Sequence, residues 1–188
     1  MKTAVVILNW NGRSLLEEFL PSVIKYSSDT TVTIYVADNA STDDSIDFLR
    51  TNFPTVKILQ NLTNQGFAGG YNSVLTAIDA DIFALVNSDI AVTENWLGPV
   101  IEQFKNEPET GVIQPKILDY NNKDLFEYAG AGGGFVDALG YPYCRGRIFN
   151  TLEADKGQFD DISTIFWASG ACFFIRATLF QKLNGFDE

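Results

Sequence analysis

Ile82-Phe83-Ala84-Leu85-Val86-Asn87-Ser88-Asp89 is the stretch whose reading decides the fold of this chain. Five apolar residues in a row are too few for an ordinary helix and do not alternate, so they suit a short strand covered on both faces, as parallel sheets require. The run then breaks within three residues into an amide, a hydroxyl and a carboxylate. The same pattern recurs towards the N-terminus. Thr3 to Leu8 runs into Asn9-Trp10-Asn11-Gly12, Thr31 to Ala37 into Asp38-Asn39-Ala40-Ser41, and Val56 to Leu59 leads through Asn61 to Asn64-Gln65-Gly66.

Helical spacing fills the gaps between these strands. Leu15, Leu16, Phe19, Leu20, Val23 and Ile24 mark a first helix, which Pro21 is expected to kink or divide. Ser41-Thr42-Asp43-Asp44 reads as the capping signal of a second helix, with Ile46, Phe48 and Leu49 on its apolar side. Phe67, Tyr71, Val74, Leu75 and Ile78 mark a third. Four strand-helix units in sequence predict an α/β fold, a mostly parallel sheet flanked by helices.

The second half is less regular. A helix is expected at Trp96 to Phe104, a strand at Val112 to Leu118, and a loop or hairpin through the Gly-rich stretch Gly130 to Gly134. Arg145 to Asp161 lacks periodicity and is expected to be a mobile surface loop, with an exposed region around Phe149 and Phe159. A buried strand at Phe166 to Ile175 and a short helix from Ala177 to Leu183, stopped by Gly185, close the pattern.

Composition narrows the chemistry. The 188 residues contain no histidine, which removes the Ser-His-Asp and Cys-His nucleophiles, imidazole acids and bases, and His-ligated zinc. Two cysteines, Cys144 and Cys172, cannot form a four-cysteine zinc site. A net charge of −11 argues against nucleic acid, whose phosphates need a basic face. The opening apolar run is too short for a signal peptide, and Ile162 to Ile175 falls short of a membrane span. The expected location is cytoplasmic with reduced thiols, and the Asn39-Ala40-Ser41 and Asn61-Leu62-Thr63 sequons are chance matches.

In open parallel α/β sheets, ligands bind beyond the carboxyl ends of the strands. Each polar group there has a plain structural alternative. Asn9 and Asn11 can end a strand and cap a helix, Asp38 can be a turn residue, Ser41 and Asp43 can serve as cap and dipole partner, and Asn64-Gln65-Gly66 is a turn signal. Asp89 is harder to assign so, because a carboxylate at the end of a buried strand needs a cation. A hard divalent ion shared with ligand phosphates would supply one. No G-x-G-x-x-G follows the first strand and no G-x-x-x-x-G-K-[ST] occurs, which leaves nicotinamide-type Rossmann domains and P-loop NTPases unsupported. The first strand also lacks an aspartyl nucleophile, and the Gly-rich N-terminal loop of sugar-phosphate nucleotidyltransferases is missing.

Six ordered segments resemble motifs of family 2 glycosyltransferases, near the bacterial rhamnosyltransferase-like branch. They are Val5 to Gly12, Val36 to Asp43, Asn64 to Gly70, Leu85 to Asp89, Trp167 to Cys172 and Gly185 to Glu188. The resemblance implies a single GT-A domain over residues 1–188, with a nucleotide-binding half at 1–90 and an acceptor-side half at 91–188 that is incomplete at its C-terminus. It implies a nucleotide-diphosphate sugar donor, with dTDP-rhamnose ahead of UDP-sugars. It also implies a saccharide or lipid-linked acceptor in cell-surface polysaccharide synthesis, a divalent Mg or Mn ion, and inversion at the anomeric carbon. By motif position Asn9, Asn11, Asp38, Ser41, Asp43, Asn64, Gly66 and Asn87 would bind nucleotide, and Trp167, Ser169 and Gly170 would face the acceptor. Asp89 would ligate the metal, while Asn87 departs from the first Asp of the family's Asp-x-Asp pattern.

An attacking hydroxyl needs a base, and without histidine that base is a carboxylate. In the family it lies after the Gly-Phe-Asp-Glu segment, so it is expected beyond Glu188, with Asp187 and Glu188 as the carboxylates that could stand in. The chain is therefore expected to bind donor and metal yet turn over poorly, with peripheral association at the inner membrane face left to segments outside it. The alternative is a nucleotide-sugar-binding module without chemistry. A structural domain without ligand would make four polar strand ends a coincidence.

Overall fold

The computed structural model describes residues 1–128 and 130–188. Its elements in chain order are β1 (Thr3–Asn9), α1 (Arg13–Tyr26), β2 (Val32–Asp38), α2 (Ser45–Asn52), β3 (Lys57–Gln60), α3 (Gly66–Leu75), β4 (Ile82–Asn87) and α4 (Gly98–Asn106). There follow β5 (Val112–Ile113), β6 (Gly134–Val136), β7 (Pro142–Cys144), β8 (Arg147–Ile148), β9 (Thr151–Leu152), β10 (Cys172–Arg176) and α5 (Ala177–Lys182). The chain packs as two compact units, residues 1–111 with 174–188, and residues 112–173.

In the first unit the strands run in the order β3-β2-β1-β4-β10. β1 pairs in parallel with β2 and with β4, and β2 with β3. The apolar run Ile82 to Val86 is buried throughout, as a strand covered on both faces must be. Ala4 to Ile7 of β1, Leu16, Phe19, Leu20 and Val23 of α1, and Tyr71, Val74 and Leu75 of α3 complete this core. Register does the rest. Asn9 lies opposite Asp38, Asp38 opposite Gln60, and Leu8 opposite Asn87, so the polar strand ends form one rim.

Pro21 does not divide the first helix, which runs unbroken from Arg13 to Tyr26. Pro21 and Glu17, whose carbonyl loses its partner, both lie on the exposed face, where water can satisfy the freed oxygen. The helix expected from Trp96 begins at Gly98 instead, with Pro99 in its first turn. Trp96 donates its indole N–H to Ser27 Oγ at 3.1 Å and packs on Phe174, with ring centroids 5.5 Å apart.

The second unit corrects several expectations. The strand expected at Val112 to Leu118 is only Val112–Ile113, with Leu118 forming an isolated bridge to Phe126. The Gly-rich stretch opens an antiparallel meander, β6-β7-β8-β9. Arg145 to Asp161 is built into it, carrying β8 and β9. Lys116 Nζ holds Asp155 at 2.6 Å and Asp160 at 2.5 Å, and Arg145 lies 3.4 Å from Asp161. Phe159 packs on Phe126 with Arg145 over its ring, whereas Phe149 is 87% exposed. The strand expected from Phe166 starts only at Cys172, and Phe166 is 76% exposed.

Candidate functional site

The rim of the first unit begins at Asn9, which is fully buried. Its Nδ2 donates to Asp38 Oδ1 and to Ser41 Oγ, each at 3.1 Å. Ser41 N–H returns a bond to Asp38 Oδ2 at 3.0 Å, so both carboxylate oxygens of Asp38 are engaged in a residue that is 1% exposed. The backbone pairs too, Asn39 N–H donating to the Asn9 carbonyl at 2.7 Å. Asn9 Oδ1 is buried without a partner among the described residues, and a Cβ at Gly12 would sit 2.6 Å from it. Glycine at position 12 is therefore what lets α1 start so close to the end of β1.

Asn11 locks the next turn. Its backbone lies in the left-handed region with φ 51°, its N–H donates to Ser41 Oγ at 2.9 Å, and its Oδ1 accepts from the N–H groups of Thr42 at 2.7 Å and Asp43 at 3.2 Å. Asp43 does not cap α2 as an N-cap residue, because the helix starts at Ser45 after Asp44. It accepts instead from Ser45 N–H at 3.1 Å, Ser45 Oγ at 2.5 Å and Arg13 N–H at 3.1 Å. Partial burial works against the Asp43 charge, but these donors outweigh it and hold its carboxyl below the usual range.

Two residues absent from the expected site organise the rest. Asn39 is 2% exposed. It bonds Asn61, Asn64, Gln65 and Gly66, joining the end of β2 to the entry of α3. Trp10 is 58% exposed on the turn between Asn9 and Asn11 and offers a flat apolar face at the rim. The signal for both was their place directly beside candidate residues at strand ends.

Asn87 closes β4 half-buried, and Ser88 and Asp89 form the turn after it. Asp89 is exposed and has no hydrogen bond or ion pair among the described residues. No group of three acidic or cysteine side chains there could hold a metal ion. Asp89 could thus give a hard cation one carboxylate ligand and no closed protein cage.

At the far end of α3, Asn72 Oδ1 accepts from Phe186 N–H at 2.8 Å, while its Nδ2 donates to the Phe186 carbonyl and to Glu188 Oε1, each at 2.9 Å. Glu188 is thereby tied to α3, and a Cβ at Gly69 would lie 3.4 Å from its carboxylate. Asp187 is exposed. In the second unit Trp167 donates its indole N–H to the Phe135 carbonyl at 2.9 Å and lies against Gly134, where a Cβ would clash with its ring. Ser169 is 6% exposed; its N–H donates to Gln114 Oε1 at 2.6 Å, and its Oγ accepts from Ala171 N–H at 3.2 Å. Gly170 between them is half-buried.

The model of Glycosyl transferase family 2 matches residues 4–183. The chain belongs to this family. It is 24% identical over 202 aligned residues to N-acetylglucosaminyl-diphospho-decaprenol L-rhamnosyltransferase of Mycobacterium tuberculosis, with 98% of the chain aligned to 64% of that protein. Among solved structures it is similar to the mannosyltransferase PcManGT from Pyrobaculum calidifontis in complex with GDP-Man and Mn2+, at TM-score 0.67 and 14% identity, over 99% of the chain and 47% of that structure. It is also similar to Staphylococcus aureus TarS 1–349 in complex with UDP, at TM-score 0.66 and 18% identity, over 98% of the chain and 49% of that structure. The fold of this family 2 member is the GT-A fold, and the chain spans about half to two thirds of the length of these relatives.

Proposed function

We propose that this chain is the donor-binding part of an inverting glycosyltransferase. It takes a nucleotide-diphosphate sugar, dTDP-rhamnose first and UDP-sugars second, and serves transfer to a saccharide or lipid-linked acceptor in cell-surface polysaccharide synthesis. The observation that carries the reading is the rim itself. The ends of β1 and β2 and the entry of α3 are cross-bonded in one network, and Asp89 after β4 stands exposed without a partner among the described residues.

In this reading Asn11, Asn64 and Asn87 contact base and ribose. Asn9, Asp38, Ser41 and Asp43 hold the turns that carry them, and Gly66 opens α3 beside the ligand. Trp10 supplies a stacking face for the nucleobase. Asp89 would be the carboxylate that holds a Mg or Mn ion. Bound there, such an ion would stabilise the charge that the leaving nucleotide gains. Trp167, Ser169 and Gly170 remain candidates for the acceptor side, although their recorded bonds are all to their own unit. Asp187 and Glu188, both exposed, are the carboxylates that could serve as base, and Glu188 is held by Asn72. The work is expected on the cytoplasmic side, at the inner membrane face where lipid-linked acceptors are met. No helix among the described residues is long and apolar enough to cross a membrane.

Binding without transfer has one observation on its side: neutral Asn87 leaves Asp89 without an acidic neighbour in the Asn87-Ser88-Asp89 turn. Calorimetric titration of dTDP and UDP, with and without Mn, tests the shared core of both readings. Metal-dependent binding is expected in the wild type and its loss in Asp89→Ala. Equal binding by Asp89→Ala with Mn present would remove Asp89 from the site.

A further inference from the structure

The two ends of an asparagine side chain are opposite in kind, since the carbonyl only accepts and the NH2 only donates. Which end points where is fixed when its partners are backbone groups, which cannot exchange roles. Asn39 meets that condition at both ends. Its Nδ2 donates to the Gly66 carbonyl at 2.9 Å, and its Oδ1 accepts from Gln65 N–H at 3.2 Å. So oriented, its Nδ2 also donates to Asn64 Oδ1 at 2.9 Å, and its Oδ1 also accepts from Asn61 Nδ2 at 3.1 Å.

Asn64 is fixed in turn. Its Oδ1 accepts from Gly66 N–H at 2.9 Å as well as from Asn39, so its carbonyl is committed twice. Its NH2 has no partner among the described residues, and the residue is exposed. Asn11 follows the same rule without Asn39, its Oδ1 taken by two backbone N–H groups and its NH2 without a partner among the described residues. In a chain of net charge −11, neutral NH2 groups of fixed direction are a means of meeting an electron-rich ligand.

We propose that Asn39 is a positioning residue. Together with Gly66 N–H it holds the Asn64 carbonyl and so leaves the Asn64 NH2 for the ligand, and the site reads a hydrogen-bond acceptor there, an oxygen of a nucleoside diphosphate. Asn39 itself is buried and touches no ligand. The inference rests on the nucleotide reading above.

Three variants test it by titration of the 188-residue chain with UDP and dTDP in the presence of Mn. Asn64→Asp keeps both loop bonds, because one carboxylate oxygen still accepts from Asn39 and Gly66, and it replaces the free donor with an anionic acceptor. Nucleotide affinity should fall about tenfold or more with little change in the unfolding midpoint. Asn39→Ala leaves Asn64 bonded to Gly66 alone, whereas Asn39→Asp sets an acceptor against the Asn64 and Gly66 carbonyls and works against the orientation that Gly66 N–H gives Asn64. The expected order of affinity is wild type, then Asn39→Ala, then Asn39→Asp. A purely structural asparagine would give that order through the unfolding midpoint, so affinities are compared where urea titration shows each variant fully folded, and the side-chain NH2 signal of Asn64 in 15N spectra should shift with nucleotide in the wild type. Wild-type affinity in Asn64→Asp, an unmoved Asn64 signal at saturation, or Asn39→Asp binding as tightly as Asn39→Ala overturns the proposal and leaves nucleotide binding intact. Failure of the wild type to bind either nucleotide removes the underlying reading, and the proposal with it.

Discussion

At the scale of single residues the rim is a set of side chains whose bonds are made to turns far along the chain, and Asp43 shows what that does to charge. Donors from Ser45 and Arg13 hold its carboxyl below the usual range against the cost of burial. A group depressed in the folded state adds stability above its unfolded pKa, about 3.9 for Asp, and loses it as pH falls through the lower folded value. Asp43→Asn should therefore be less stable than the wild type at pH 7, and the gap should close below about pH 4. Urea unfolding at pH 7, 4 and 3 checks this, and a gap that stays constant would assign the effect to geometry alone. Asn9, Asp38, Ser41 and Asn64 were legible as site candidates because each stands just after a strand or at a helix entry. Asn39 stands in the same strand-end run with only its position to mark it, and Asn72 was not legible, since what marks it is a bond. Asn72 meets Phe186 across 114 positions of sequence, which no local pattern records.

At the scale of elements, the parallel strands were legible because burial on both faces demands apolar runs; β1 and β4 carry such runs, and β2 is buried only towards its end, at Val36 to Asp38. The second unit was not, because strands of two or three residues, such as β8 and β9, are too short to show a period. There the structure rests on ion pairs and ring packing, as where Lys116 gathers Asp155 and Asp160. α3 carries the clearest element-scale prediction. Its Asn72 satisfies both backbone groups of Phe186 and holds Glu188, and Phe186 packs edge-on against Phe180 with centroids 5.3 Å apart. Asn72→Ala should cost about 1–3 kcal/mol, since it strips partners from partly buried backbone groups. It should also expose the residues after Gly185 to protease before the rest of the chain unfolds. Urea midpoints and a proteolysis time course measure the two, and a tail as protected as in the wild type would mean that the aromatic packing alone holds it.

At the scale of the whole molecule, two cysteines report on opening because they differ so sharply. Cys144 is half-buried, while Cys172 is 3% exposed at the start of β10, and burial pushes its thiol up to about 12. Only the thiolate attacks a disulfide reagent, and at pH 8 a thiol of pKa near 12 is ionised to about one part in ten thousand. One thiol should therefore react in the folded chain and the second only when β10 opens. If opening and closing are fast compared with labelling, the Cys172 rate follows the open population. A ligand that binds only the folded form lowers that population by the factor 1 + [L]/Kd, roughly a hundredfold at 100 times Kd. β10 carries the chain from the second unit back into the first, so UDP or dTDP with Mn bound at the rim should slow Cys172 labelling by that factor if the two units open together. Cys144 labelling should not change. A Cys172 rate indifferent to a nucleotide that calorimetry shows to bind would mean that residues 112–173 open on their own, and that the rim stays folded while they do.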